Sequence, residues 1–509
     1  MTNLEAPTLV SRLLYSFRRG FLLFTLPVLF EQQASAVSEP ALLRVGVTEE
    51  PKTLNWLEAR SQADRTIAPF LVRSLLKLDR RGDLICDLCT EFHFESETDG
   101  SAIVRATLQE SVRWTDGSAL VAKNFVDAFE TLKTVKPPWT TWNELYRSAT
   151  ASSPKNLEIR ITKPNRSFLY WLTLPVSAPI RSRTSKGSDI SFGQNVIGPF
   201  LVAEWQRGKR IVLEANPSHA SARPVYRIEF WIAPKDKLLT MFRKGRIDVY
   251  PDPTTLEIMD KSAAKVQVNA LLSLRWLVFN HRTPLLQEAG LRRAITRVLP
   301  REELAGVLKT GDRSSAGFIP PGVQGFHRTS PLSRDLDQAR SERFRTFRTK
   351  EPLKLGLTFR EDMVSREIAE WTRNELANIQ IEVLLKPRSE KDLKEDLDAR
   401  QFDLALTTFN FQTMDPLELL SMFQSQSPLN LPGVKNVRID TLLTQLYRET
   451  DLTKREALLG DLLTALEVDE AVSFPLTYPA QGFLLGSRVK SFPATPFGNP
   501  DWTQVQLTP

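Results

Sequence analysis

A chain of 509 residues exceeds what one hydrophobic core organises, so two or three compact units are expected. With 41% hydrophobic, 25% charged and 9% aromatic residues, its composition excludes the disordered and the multispanning membrane classes. The net charge of +7 and the pI near 9.3 come without a Lys/Arg block interleaved with aromatics, so they mark a solvated basic surface, and no nucleic-acid partner is expected.

In chain order the first expected feature is an address. Arg12, Arg18 and Arg19 precede an apolar run at 20–30, and Ala34-Ser35-Ala36 follows as a small-residue cleavage pattern. Eleven apolar residues are too few to span a bilayer. Residues 1–36 are therefore expected to be a cleavable signal peptide. No cysteine precedes Cys86, so the lipid-anchoring residue of a lipoprotein leader is missing and a free periplasmic protein is expected. Arg18-Arg19-Gly20-Phe21-Leu22 leaves general secretory and twin-arginine export both open.

Past the leader, 42–47 reads as a buried strand and 70–78 as a helix after it. Cys86 and Cys89 form a single C-x-x-C, which is open to a local disulfide, half of a metal site or a redox pair. Two further ligands and a βαβ context are not evident, which favours structural cysteines or a local disulfide. Strands are expected at 103–108 and through Leu157, Ile159 and Ile161, flanking a helix near 125–132. The Pro- and Ser-rich interval 175–191 reads as a crossing between units, and β pattern resumes at 211–213, 228–232 and 274–279.

From Leu353 the order is regular: strand 353–359, helix 364–377, strand 380–385, helix 391–399, strand 402–406. Such alternation predicts a mostly parallel sheet covered by helices. Ligands bind such sheets beyond the carboxyl ends of their strands, which makes 407–415 a candidate site. Leu442, Leu443 and Leu446, then Leu458, Leu459, Leu462, Leu463 and Leu466, have the spacing of helical core faces. No solenoid or propeller period is present.

Several patches recur in an order known from one family. Val112-Arg113-Trp114-Thr115-Asp116-Gly117 is followed by Ala122, Asn124 and Phe125. Gly198-Pro199-Phe200 comes with Trp205, Gly208 and Asn216-Pro217, and Phe279-Asn280 with Pro284, 291–295 and Pro300-Arg301. Ile319-Pro320-Pro321, Pro475-Leu476 and 489–492 complete the set, and residues 402–416 read FDLALTTFNFQTMDP. Together they resemble the oligopeptide, dipeptide and nickel receptors of ABC importers, the extracytoplasmic solute-binding proteins of family 5. The match spans about 42 to 497.

The resemblance implies an α/β, periplasmic-binding-protein-like fold of type II, cluster C, with two lobes and an extra embedded domain. It implies one domain from 42–80, 195–272 and 478–509, an additional domain at 81–194 and a second ligand-binding lobe at 273–477. Family receptors hold a peptide as an extended strand between lobes that close on a hinge. Carried over by position, main-chain contacts would come from Phe409, Asn410 and Phe411 in one lobe and from Ser61, Gln62 and Ala63 in the other. The family's amine-binding Asp falls on Gln412, which accepts a hydrogen bond but carries no charge. The expectation is that ordinary free-amine peptides bind weakly, and that N-blocked, cyclic, anhydro or non-peptide ligands bind better.

No H-E-x-x-H, G-x-S-x-G or phosphate-binding Gly-rich loop is present, and His93, His219, His281 and His327 are scattered. No enzyme is therefore expected. The resemblance implies a monomer without cofactor or metal that delivers a peptide or other small solute to an inner-membrane ABC permease and its ATPase. A receptor for an oligosaccharide, opine or metal chelate, and a chaperone or signalling protein of the same fold, are the alternatives. A periplasmic hydrolase comes last.

Overall fold

A computed structural model describes residues 41–79, 82–135, 140–181, 193–219, 224–251, 265–323, 325–326, 332–449, 451–495, 497 and 500–508. The expected leader, the boundary at 80/81 and most of the 175–191 interval lie outside the described residues. No helix among them is long and apolar enough to cross a membrane.

The apolar run at Leu42–Val47 pairs in parallel with Arg227–Ile232 along its whole length. These two lie inside a seven-stranded sheet. Its order is Lys265–Ala270, Ala480–Leu485, Val249–Pro251, Leu42–Val47, Arg227–Ile232, Arg210–Ala215, Phe200–Gln206. Three distant stretches of chain thus share one core, in which Leu43, Phe70, Phe200 and Phe230 are buried.

The helix predicted over 70–78 is corrected: it runs Gln62–Leu71, and Leu76–Leu78 is a strand paired with Leu84–Cys86. Ser61 starts it as N-cap, with Asp64 completing a capping box. At its other end Gly198 donates its N–H to Leu71 O at 2.9 Å. A Cβ on Gly198 would lie 2.3 Å from the Leu71 carbonyl carbon, which is why a Gly-Pro-aromatic sequence occurs there.

A four-stranded antiparallel sheet follows, ordered Cys89–Ser96, Ala102–Leu108, Asn156–Ile161, Tyr146–Ala151. Phe125, Ala128, Phe129 and Leu132 form the buried face of helix Ala122–Val135. Trp114 is fully buried, and Gly117 takes φ +82°, a left-handed turn open to glycine at no steric cost. Val121 donates its N–H to Asn124 Oδ1 at 3.0 Å, just before helix Ala122–Val135. Cys86 and Cys89 form a disulfide with Cα atoms 5.1 Å apart.

The second large sheet, of six strands, runs Arg313–Ser314, Ser473–Tyr478, Ser273–Phe279, Leu404–Asn410, Leu353–Arg360, Ile381–Arg388. The expected β-α-β-α-β order is there, with helices Met363–Ala377 and Glu390–Asp398 as connections. The expectation of a mostly parallel sheet is corrected, because only its last three strands are parallel. Ser273–Phe279 is antiparallel to both neighbours, since it enters from the first sheet rather than through a crossover helix. Chain passes between the two sheets twice, at Leu271–Leu272 and at Pro479, where Leu271 N–H donates to Pro479 O at 3.0 Å.

Candidate functional site

The strand Leu404–Asn410 is fixed at its start by hydrogen bonds to residues distant in the chain. Asn280, 3% exposed, donates to Phe402 O at 2.7 Å and to Arg400 O at 3.1 Å, while Asp403 accepts from Gly356 N–H at 2.8 Å. This explains the Phe279-Asn280 pair: its amide holds the turn that aims the strand.

Pairing with Leu353–Arg360 ends after Thr358↔Ala405, whereas pairing with Ser273–Phe279 continues to Ser273↔Asn410. From Leu406 to Asn410 the strand therefore has a strand neighbour on one side only. The other edge offers alternate N–H and C=O groups to an added strand. The strand also extends further than expected from the sequence, so Thr407, Thr408, Phe409 and Asn410 belong to it rather than to the loop after it.

Phe409 is half-buried and Asn410 exposed, and Asn410 Oδ1 accepts from Ser273 Oγ at 2.8 Å. Phe411 is a core residue, 5% exposed. Its ring meets Phe409 edge-on at 4.9 Å, and its N–H donates to Leu272 O at 2.9 Å. Gln412 is half-buried and turns its amide back to donate to Asn410 O at 3.3 Å.

Ser61, Gln62 and Ala63 lie at the start of helix Gln62–Leu71. Ser61 N–H donates to Asp64 Oδ2 at 2.8 Å, and its carbonyl accepts from Arg65 at 3.2 Å, so its main chain is already engaged. Gln62 and Ala63 hold the first two N–H groups of the helix, which have no intrahelical acceptor. Burial raises the Asp64 carboxyl, but N–H bonds from Ser61, Arg60 and Lys52, with the Ser61 hydroxyl, outweigh this and hold it below the usual range. No hydrogen bond among the described residues joins 61–63 to 409–412.

Beyond Gln412 the structure has features the sequence did not single out. The Glu418 carboxylate accepts Gln412 N–H at 2.9 and 3.0 Å, Thr413 N–H at 2.8 Å and Thr413 Oγ1 at 2.8 Å. Burial pushes its carboxyl up to about 7, with nearby Asp415 adding to the rise and the bonds from Gln412 and Thr413 opposing it. The available signal was Asp415-Pro416, a turn that places Glu418 in the first turn of helix Leu417–Leu420. Asp415 itself is 2% exposed.

Thr413, Asp415, Leu417 and Glu418 form one wall of a cavity of about 190 Å³, with Tyr447. The facing wall comes from a distant stretch and includes Glu144, Lys163, Ser167 and Trp171. Lys163 Nζ lies 5.5 Å from the Tyr447 ring centre, a cation–π contact across the cavity. Among the described residues no group of three or more His, Cys, Asp or Glu is placed to hold a metal ion. His281 is half-buried, its ring 3.0 Å from Val472 O, where desolvation and Arg292 depress its basicity to about 3, as suits a structural imidazole.

Residues 84–430 match the sequence model of the bacterial extracellular solute-binding proteins, family 5 Middle. The chain is similar to the dipeptide-binding protein DppE of Bacillus subtilis, 23% identical over 77% of this chain and 79% of that protein. It is also similar to the probable D,D-dipeptide-binding periplasmic protein DdpA of Escherichia coli, 24% identical over 86% and 89%. Among solved structures, the ABC transporter substrate-binding protein CtaP of Listeria monocytogenes superposes with a TM-score of 0.81 at 19% identity, covering 92% of this chain and all of that one.

Proposed function

The chain belongs to the family 5 bacterial extracellular solute-binding proteins and has their α/β, two-lobe type II fold, and from that premise we propose that it is a receptor for a peptide or peptide-like solute. The observation that carries this reading is the one-sided strand Leu404–Asn410, whose open edge from Leu406 onward matches the repeat of an extended peptide backbone. Main-chain pairing suits a ligand class defined by its backbone, with side chains left to solvent and trapped water.

In this reading Phe409 and Asn410 supply the strand edge and a stacking face. Gln62 and Ala63 supply helix N–H groups from the other lobe. Phe411 supports them from the core, and Ser61 holds the helix start. Gln412 borders the ligand without a charge. Sheet membership supports assigning 42–80, 195–272 and 478–509 to one lobe, 81–194 to an added domain and 273–477 to the second lobe. The paired crossings at Leu271–Leu272 and Pro479 serve as the hinge.

The receptor works as a monomer in the periplasm and passes its solute, chemically unchanged, to an inner-membrane ABC permease powered by its ATPase. The leader-like order of 1–36 and the periplasmic dipeptide-binding relative support that location. Calorimetry with extended tri- to pentapeptides and their N-methylated counterparts tests the reading. Unmodified peptides are expected to bind at one site and be recovered intact. Equal affinity after methylation of alternate peptide nitrogens, or cleavage of the peptide, overturns it.

A further inference from the structure

Glu418 gathers three donor groups from two successive residues. Its Oε2 accepts Gln412 N–H at 3.0 Å, Thr413 N–H at 2.8 Å and the Thr413 hydroxyl at 2.8 Å, while Oε1 accepts Gln412 N–H at 2.9 Å. Thr413 Oγ1 in turn accepts Asp415 N–H at 3.3 Å, and Asp415 Oδ1 accepts Leu417 N–H at 3.0 Å. The chain from 412 to 418 is thus closed on itself. Donors converging in this way suit a carboxylate, whose charge strengthens each bond. Protonation turns one of its oxygens into a donor and sets donor against donor.

The closed corner has a working neighbour on each side. Before it ends strand Leu404–Asn410 with its one-sided edge. After it comes Met414, 5% exposed, which shares the second core with Tyr170 and with the partly buried Leu78 and Leu84 packed against it. A Cβ on Gly82 would lie 2.8 Å from Met414 Sδ, so the thioether sits directly on the main chain at Gly82. One corner therefore sets both the end of the strand edge and the contact that the second lobe makes with the stretch around 78–84.

We propose that Glu418 is a positioning residue for solute capture: its carboxylate fixes the main chain of Gln412 and Thr413, and so holds the strand edge before them and the Met414 contact after them in the arrangement that binds solute. The role in capture rests on the receptor reading, while the clasp itself does not. Capture then belongs to the ionised form. With the Glu418 carboxyl at about 7, the ionised share falls from most of the protein at pH 8 to about a tenth at pH 6. Apparent affinity falls with the share of protein that is competent to bind. The other charged or titratable groups around Glu418 are Asp415 on the same turn, Arg455 paired with Asp415 at 3.5 Å, Glu144 and Lys163 from the facing wall, Tyr447, and Tyr170 beside Asp415. Burial pushes both tyrosine hydroxyls further above neutrality.

The test uses N-acetylated, C-amidated tetra-alanine, which has no titratable group, on the full protein by calorimetry at constant ionic strength. The wild type is expected to bind about tenfold more weakly at pH 6 than at pH 8. At pH 7, phosphate and Tris buffers, whose ionisation heats differ, should report about half a proton released per peptide bound. Glu418→Gln, neutral throughout, should bind at pH 8 about as weakly as the wild type at pH 6, and should release no proton. Thr413→Val removes one donor but keeps the charge, so its pH dependence should remain. Proton release by the wild type keeps the test open where Glu418→Gln does not fold. Equal wild-type affinity at pH 6 and pH 8, binding without proton release, a pH dependence that survives Glu418→Gln, or its loss in Thr413→Val overturns the positioning role while the receptor reading stands. No binding at either pH overturns the receptor reading, and the role in capture with it.

Discussion

Gln412 occupies a position where its main-chain N–H is taken by Glu418 and its side chain folds back on Asn410. Neither group carries charge toward a ligand amine. Gln412→Asp adds a carboxylate at a half-buried position, and free-amine peptides are expected to gain about tenfold in affinity, about 1.4 kcal/mol, by calorimetry. N-acetylated peptides should not gain. A preference of the wild-type protein for free-amine over matched N-acetylated peptides would sink the idea that Gln412 withholds recognition of the amino terminus.

Glu418 gives a pH prediction with a definite sign. Its carboxyl is raised from 4.5 to about 7 in the folded state, so the folded protein binds a proton that the unfolded chain releases. The stability this contributes is fully present below about 4.5 and is lost as pH rises through about 7. Urea unfolding at pH 5 and pH 8 should show this loss, at most about 3 kcal/mol, and Glu418→Gln should remove that part of the difference. An unchanged difference in the variant would assign the titration to another group.

At the scale of elements, the motifs turn out to be junctions. Gly198 lies against the backbone at the end of helix Gln62–Leu71, and its φ is negative, so contact rather than backbone freedom excludes a side chain. Gly198→Ala is expected to cost about 2 kcal/mol or more through overpacking, read as a lower urea midpoint. Asn280 holds two carbonyls of the turn before strand Leu404–Asn410. Asn280→Ala should cost about 2–4 kcal/mol, because both carbonyls lose a buried partner. It should also weaken peptide binding, since the strand edge depends on that turn. A variant that loses stability but binds unchanged would separate the turn from the site.

For the whole molecule, the two large sheets are joined by two adjacent crossings, and Asp312 lies beside them. It pairs with Arg275, accepts from Thr477 Oγ1 at 2.9 Å and meets Ala480 N–H at 3.4 Å. A hinge of two strands permits closure while leaving each sheet intact. Small-angle scattering with saturating peptide is expected to show a smaller radius of gyration than without it. An unchanged radius with binding present would remove closure from the mechanism.

Fold class was legible through the ordered motifs that resemble one family, and much of the element order through local patterns: apolar runs for strands, 3.6-residue spacing for helices, Asp116-Gly117 for a turn. The helix at 70–78 was misplaced because apolar content outweighed the capping signal at Ser61, and only the contact with Gly198 shows where that helix must stop. The β-α-β order made 407–415 a candidate site, and the resemblance named Phe409 to Gln412 within it. That order did not reveal that Phe411 faces the core, or that pairing with the neighbouring strand ends at Thr358. The cavity was invisible for a physical reason: Ser167 and Asp415, which line it, are 248 positions apart, and a space between distant segments is defined only by how they pack. The sequence alone determined the family, the sheet-building stretches and the missing charge at Gln412. Tertiary structure decided the open strand edge, the Glu418 clasp and the cavity beside it, because each depends on which distant groups pack against it.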